Sequence, residues 1–223
     1  MFDPQKLLEQ VLGGASGSGG KGGLSPDLLK GLAGGAAAGG LASILLGSKS
    51  GKKLAKTALK VGGTAALAGL AYKAYQTWQQ NQSATAAPTS TDPQGTVFLP
   101  TAAAARDDLS LVLLRAMISA AKADGHIDAA EQQKIFTRLD TADLDTEAKA
   151  FVIDEMRKPL NIDAVVADAT SPERAVEIYA ASVLAIEADD PSEQAYLAML
   201  AARLKLDPGL KATVEQETTK ALA

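Results

Sequence analysis

The sequence predicts an all-α protein, and three observations carry the prediction. Apolar residues make up 47% of the chain but aromatics only 4%, so the buried surface is built from small and aliphatic side chains that suit closely packed helices. From residue 107 onward Asp and Ser caps recur, each ahead of apolar residues spaced near 3.6. Nothing in that stretch asks for a strand.

Charge divides the chain. Beneath a net charge of −4, residues through Trp78 carry nine Lys against Asp3, Glu9 and Asp27, whereas the remainder holds 13 basic and 23 acidic residues. A basic, Gly/Ala-rich front suits an anionic lipid surface, and an acidic rear suits cations or a basic protein partner. Nucleic acid is a poor partner, because the lysines lack interleaved arginine and aromatics. The absence of Cys excludes disulfides, thiolate nucleophiles and Cys-ligated metal centres.

The opening MFDPQKLLEQVLGG predicts a short amphipathic helix. Asp3 caps it, Pro4 takes the first helical position, and Leu7, Leu8, Val11 and Leu12 share one face. Acidic residues stand where a secretory signal needs a basic start, so no such signal is expected. In GASGSGGKGG, Gly17, Gly19 and Gly22 satisfy GxGxxG without a preceding strand, and a P-loop would need Gly at Ala15 and Ser or Thr at Gly22. Residues 1–27 therefore read as a helix and a glycine linker.

Residues 28–78 read as membrane-associated. From Leu28 to Leu46 run 19 residues with Lys30 as the single charge, about the length that a hydrocarbon core of ~30 Å requires of a helix. Gly31, Gly35 and Gly39 stand four apart, a ridge on which a second helix, such as that of another copy, can approach closely. Behind it come Lys49, Lys52, Lys53, Lys56 and Lys60, then a second apolar run from Val61 to Tyr72. That run reads as a second hairpin arm or as an interfacial helix ending in belt-like Tyr72, Tyr75 and Trp78. One span places the acidic rear in the cytoplasm and two place it outside; the lysine cluster favours the cytoplasm. Residues 79–106 are polar and Pro-containing, and read as a linker.

Residues 107–223 read as a bundle of about six to seven helices. A first helix over 108–123 buries Leu109, Val112, Leu113, Ala116, Met117 and Ala120; a second from Asp128 carries Ile135, Phe136 and Leu139. A third starts near Asp145 and stops before Pro159, burying Phe151, Val152 and Met156. After a turn around 163–169, Ser171 caps a helix beginning at Pro172 that buries Val176, Ile178, Tyr179, Val183 and Ile186. Helices opening at Asp190-Pro191 and Asp207-Pro208 complete the set, with Leu197, Leu200, Leu204, Leu210 and Val214 inward.

Two corners of this bundle look alike. AAKADGHIDAAEQQKIFTRL and AIEADDPSEQAYLAMLAARL each join two helices through acidic residues, an Asp cap (Asp128, Asp190) and a Glu three positions on (Glu131, Glu193). KADGHIDAAE with the acidic second corner resembles the tellurite-resistance TerB-like helical domain. LLGSKSGKKLAKTALKVGGTAALAGLAYKAY resembles the YebE-like inner-membrane proteins that carry such a domain. The resemblance implies an all-helical domain with a divalent-cation site in its acidic loops, a bacterial inner-membrane location, an association with tellurite and stress responses, and no established activity. Asp190-Pro191 stands where the family's motif commonly has Asp-Gly, a departure from a symmetric two-loop site.

The first corner fails as an EF-hand, because Ala120 and Lys122 occupy the first and third ligand positions. Zinc is disfavoured with His126 as the sole nitrogen ligand. Oxygens of Asp124, Asp128 and Glu131, with Glu187, Asp189 or Asp190, suit Mg²⁺, Ca²⁺ or Mn²⁺. A metal-free account also stands, in which Gly125 ends one helix, Asp128 caps the next and Glu131 completes a capping box. An enzyme is not expected, since no nucleophile accompanies His126. Two functions remain: a membrane-anchored interaction or sensor module in envelope stress, or a structural membrane protein that oligomerises through its Gly-rich helix beneath a passive helical cap.

Overall fold

The computed structural model describes residues 2–13, 63–82, 92–123, 146–186 and 191–222. The described residues form eight helices and one isolated bridge, Gln94 to Leu99. The helices are α1 (Pro4–Gly13), α2 (Gly63–Gln82), α3 (Ala103–Ala121), α4 (Thr146–Arg157), α5 (Ile162–Ala167), α6 (Pro172–Ala185), α7 (Pro191–Arg203) and α8 (Pro208–Leu222). The helix expected from Asp128 lies outside the described residues, as does the run Leu28–Leu46.

Helix α6 lies at the centre, buried on every side from Ala175 onward. Val176, Ile178, Tyr179, Ala180, Ala181 and Ala185 are fully buried, and α2, α3, α7 and α8 pack about it. Its start follows the expectation: Ser171 accepts from the amide of Arg174 at 3.2 Å, with Pro172 behind it. Asn161, which the sequence reading passed over, caps α5 through the amides of Asp163 and Ala164. Asp207 caps α8 by accepting from Gly209 at 2.8 Å and Leu210 at 3.2 Å.

Helix α3 begins at Ala103, about one turn ahead of the expected start at 108. Asp107 and Asp108 look like caps in sequence but are used across helices. The side-chain amide of Gln5 donates to Asp107 at 2.7 Å, and Asp108 pairs with Arg174 at 3.6 Å. Tertiary partners have displaced a local capping preference.

Packing crosses position 107. Leu7, Leu8, Val11 and Leu12 of α1 are buried on the face foreseen for them, packed against α2 and α3. Helix α2 buries Leu67, Ala68, Ala71 and Ala74 against α6 and α8, and Thr64 shares a 2.6 Å hydrogen bond with Ser110 of α3. The belt-like aromatics therefore have a different use from the one expected. The rings of Tyr72 and Tyr75 lie 5.5 and 5.6 Å from Phe98, a fully buried residue of the expected linker, and the indole N–H of Trp78 donates to Asp207 at 3.0 Å. The aromatic faces find partners inside the bundle, and the indole edge finds one at its surface, that a membrane interface would otherwise supply. Among the described residues no helix is long and apolar enough to cross a membrane.

Helices α1 and α2 approach each other closely in this packing. A Cβ added at Gly63 would lie 2.7 Å from the Cα and the amide nitrogen of Glu9, a contact between two backbones that neither helix can relieve by a rotamer change. Gly69 differs, since its added Cβ would meet only the ring of Pro93 at 3.8 Å. Gly63→Ala should therefore destabilise the protein by about 1–3 kcal/mol through overpacking. Gly69→Ala should be neutral or stabilising, by up to ~1 kcal/mol from helix propensity. Urea unfolding of the two variants checks the contrast, and equal effects would show that the α1–α2 contact does not bear on stability.

Candidate functional site

Asp124, Asp128, Glu131, Glu187, Asp189 and Asp190, with His126, lie outside the described residues. Their flanks are described. At the end of α3, Lys122 donates to the carbonyl of Glu155 at 3.1 Å and to that of Lys158, so it closes the C-terminal end of α4 as a cation suits a helix C-terminus. Burial lowers the Lys122 pKa against the opposing pull of Glu155. The residue that disqualified the corner as an EF-hand thus ties α3 to α4 at the point where the acidic stretch begins. In the second corner, Glu193 and Tyr196 are buried within the first two turns of α7. Among the described residues no group of three His, Asp or Glu side chains is placed to hold a metal.

The described helices do form a concave site elsewhere. A cavity of about 690 Å³ opens between α1, α2, α8, the end of α6 and the turn at 92–99, within the ~300–1,000 Å³ usual for small-molecule pockets. Leu12, Leu67, Leu70, Leu99 and Leu184 supply its apolar wall. Lys73, Arg106, Lys220, Asp92 and Glu217 supply the charge. Glu217 is buried yet anionic, because Lys220 and Lys73, each 2.7 Å away, hold its carboxyl below the usual range against the cost of burial. Arg106 stands apart: its Nε is buried without an acceptor.

Comparison with known proteins places the chain. Residues 31–218 match the model of a family described as "Protein of unknown function (DUF533)". The chain belongs to the DUF533 family. DUF533 is a TerB-like family, so the likeness read from the corner motifs holds at that level. The DUF533 chain is also 30% identical over 105 residues to an "Uncharacterized protein in ampR 5'region" of Yersinia enterocolitica, covering 47% of this chain and 76% of that protein. No solved structure matches it.

Sequence reasoning missed the cavity of this DUF533 protein because its walls come from six separated segments. Lys73 and Glu217 are 144 positions apart, and their 2.7 Å contact leaves no local trace. It missed Glu177 for a different reason. This acid falls on a face of α6 that helical spacing would leave polar, but α6 has no polar face, so Glu177 is 2% exposed. Its Oε2 is 3.8 Å from Arg174, which also reaches Asp108, while its Oε1 is buried without a hydrogen-bond partner. Burial pushes the carboxyl up to about 8 against the pull of Arg174, with Glu173 adding to the rise. The contact is therefore chiefly between a guanidinium and a neutral acid at pH 7.

A carboxyl whose folded pKa lies above its unfolded value contributes stability that is complete below the unfolded pKa and lost as pH rises through the folded one. For Glu177 that window runs from about 4.5 to about 8. Glu177→Gln removes the titration while keeping the shape. Relative to the wild type, the variant should gain stability steadily from pH 5 to pH 8, at up to ~1.4 kcal/mol for each pH unit. Urea unfolding at pH 5, 6.5 and 8 measures this, and parallel pH profiles for the two proteins would exclude the buried acid as a source of pH dependence.

Proposed function

We propose that this chain is a non-enzymatic interaction or sensor module of the bacterial inner membrane, attached from the cytoplasmic side without crossing. The observation that carries the topology is the contact of Gly63 with the backbone of Leu8 and Glu9. Because α1 and α2 pack in one bundle, Gly13 and Gly63 lie on the same side of any membrane. An even number of crossings follows. A second crossing would have to come from residues 47–62, whose five lysines each cost roughly 2.5–3.5 kcal/mol at the centre of an inserted helix. The charge of that stretch favours a reading without a crossing and suits anionic headgroups. The positive-inside tendency supports the cytoplasmic face.

The module's output is read as partner binding in envelope stress, with the acidic corners as its sensing element. Asp124, Asp128, Glu131, Glu187, Asp189 and Asp190 would offer a divalent cation only oxygen ligands, which suit Mg²⁺, Ca²⁺ or Mn²⁺. Family membership supports the TerB-like part of this reading. The lysine-punctuated front supports the membrane part.

Two experiments test it. The chain has no Cys, so single cysteines at Lys6, Ser50 and Lys205 report sidedness cleanly in spheroplasts treated with an impermeant maleimide. All three should sit in the membrane fraction and stay unlabelled until the membrane is opened. Labelling of Lys6→Cys but not Lys205→Cys would mean an odd number of crossings and end the topology; labelling of all three would end the cytoplasmic assignment alone. For the cation, thermal unfolding in chelator and then in millimolar Mg²⁺, Ca²⁺ or Mn²⁺ should show a stabilisation of about 2.7 kcal/mol at a hundredfold excess over Kd. Asp124→Asn and Asp128→Asn should shrink that increment. The same response in wild type and variants would leave the corner as two helix ends meeting.

A further inference from the structure

We infer that the cavity between α1, α2 and α8 binds a long-chain fatty-acid anion, its chain along the leucine wall and its carboxylate on Arg106. The inference is independent of the membrane attachment proposed above, because it uses only groups in the described bundle. The cavity is lined by three cations and two carboxylates, and the pairing among them is uneven. Lys73 and Lys220 both pair with Glu217. Among the described residues no acceptor engages the guanidinium of Arg106, and its Nε is buried without one. A cation left in this state beside an apolar wall calls for an acceptor that arrives with apolar surface attached.

The chemistry of the walls narrows the ligand. Free phosphate would satisfy Arg106 but make no contact with the apolar side of the cavity, where Leu12, Leu67, Leu99 and Leu184 are buried and Leu70 is half-buried. An uncharged chain would cover the leucines but leave the guanidinium unpaired. A planar carboxylate matches the fork of an arginine with two parallel hydrogen bonds, and a cavity of about 690 Å³ suits one chain better than the two of a phospholipid. Arg106 is well supported for the task. It lies in the first two turns of α3, one turn ahead of Ser110, whose hydroxyl donates to the Arg106 carbonyl at 2.7 Å and bonds Thr64 of α2.

The delipidated full-length chain, titrated calorimetrically with palmitate, hexadecanol and inorganic phosphate, provides the test. Palmitate should bind at least tenfold more tightly than hexadecanol, and phosphate should give no saturation. Arg106→Met should weaken palmitate at least tenfold while leaving hexadecanol unchanged, Arg106→Lys should recover part of the loss, and Arg115→Met, which lies outside the cavity, should bind as the wild type does. The palmitate–hexadecanol ratio is measured on the wild type, so the assignment stays testable even if Arg106→Met fails to fold. Equal binding of palmitate and hexadecanol, saturation by phosphate alone, or full affinity in folded Arg106→Met would each overturn it.

Discussion

Where α1 meets α2, the backbone of Gly63 lies against the backbone of Leu8 and Glu9, and no side chain fits between them. The contact joins two segments separated by 49 residues of Gly-, Ala- and Lys-rich sequence. It lets Leu7, Leu8 and Leu12 enter the same core as Leu67 and Ala71. The turn at 92–99, the aromatic cluster on Phe98 and the cavity all depend on where α2 then runs. A glycine at this position is a packing requirement as well as a helix start, since any Cβ would push the two helices apart.

That constraint reaches function through topology. A helix read in isolation as a second membrane arm is, from Gly63 onward, a structural member of the bundle. Tyr72, Tyr75 and Trp78 have the composition of an interfacial belt, and both a belt and a helix-packing cluster want an aromatic ring with one polar edge. The choice between them lies with Phe98, 26 positions from Tyr72, and Asp207, 129 positions from Trp78.

Electrostatics in the bundle follow the same division between local and distant causes. Glu217 and Glu177 are both buried carboxylates, yet they are held in opposite states. Two lysines from different helices keep Glu217 charged, whereas a single arginine at 3.8 Å leaves burial to decide for Glu177. Burial is the largest influence on Glu177, whereas at Glu217 the close lysine partners outweigh it. Arg106 is the reverse case, a cation whose buried Nε has no acceptor among the described residues, and that is what singles out the cavity chemically.

The helical class, the caps at Asp3, Ser171 and Asp207, the proline starts of α1, α6, α7 and α8, and most inward faces were legible in the residues alone, because all of these arise within one or two turns of helix. So were the corner motifs by which the chain resembles TerB-like proteins. It took the packed bundle to show that α1 and α2 belong to it, that Asp107 and Asp108 bond across helices instead of capping one, that Glu177 is buried on a helix with no exposed face, and that six segments line a cavity in which the Arg106 Nε has no acceptor among the described residues. Each of these depends on which distant surfaces come together. Helical periodicity carries the direction in which a side chain points but holds no information about what it meets there.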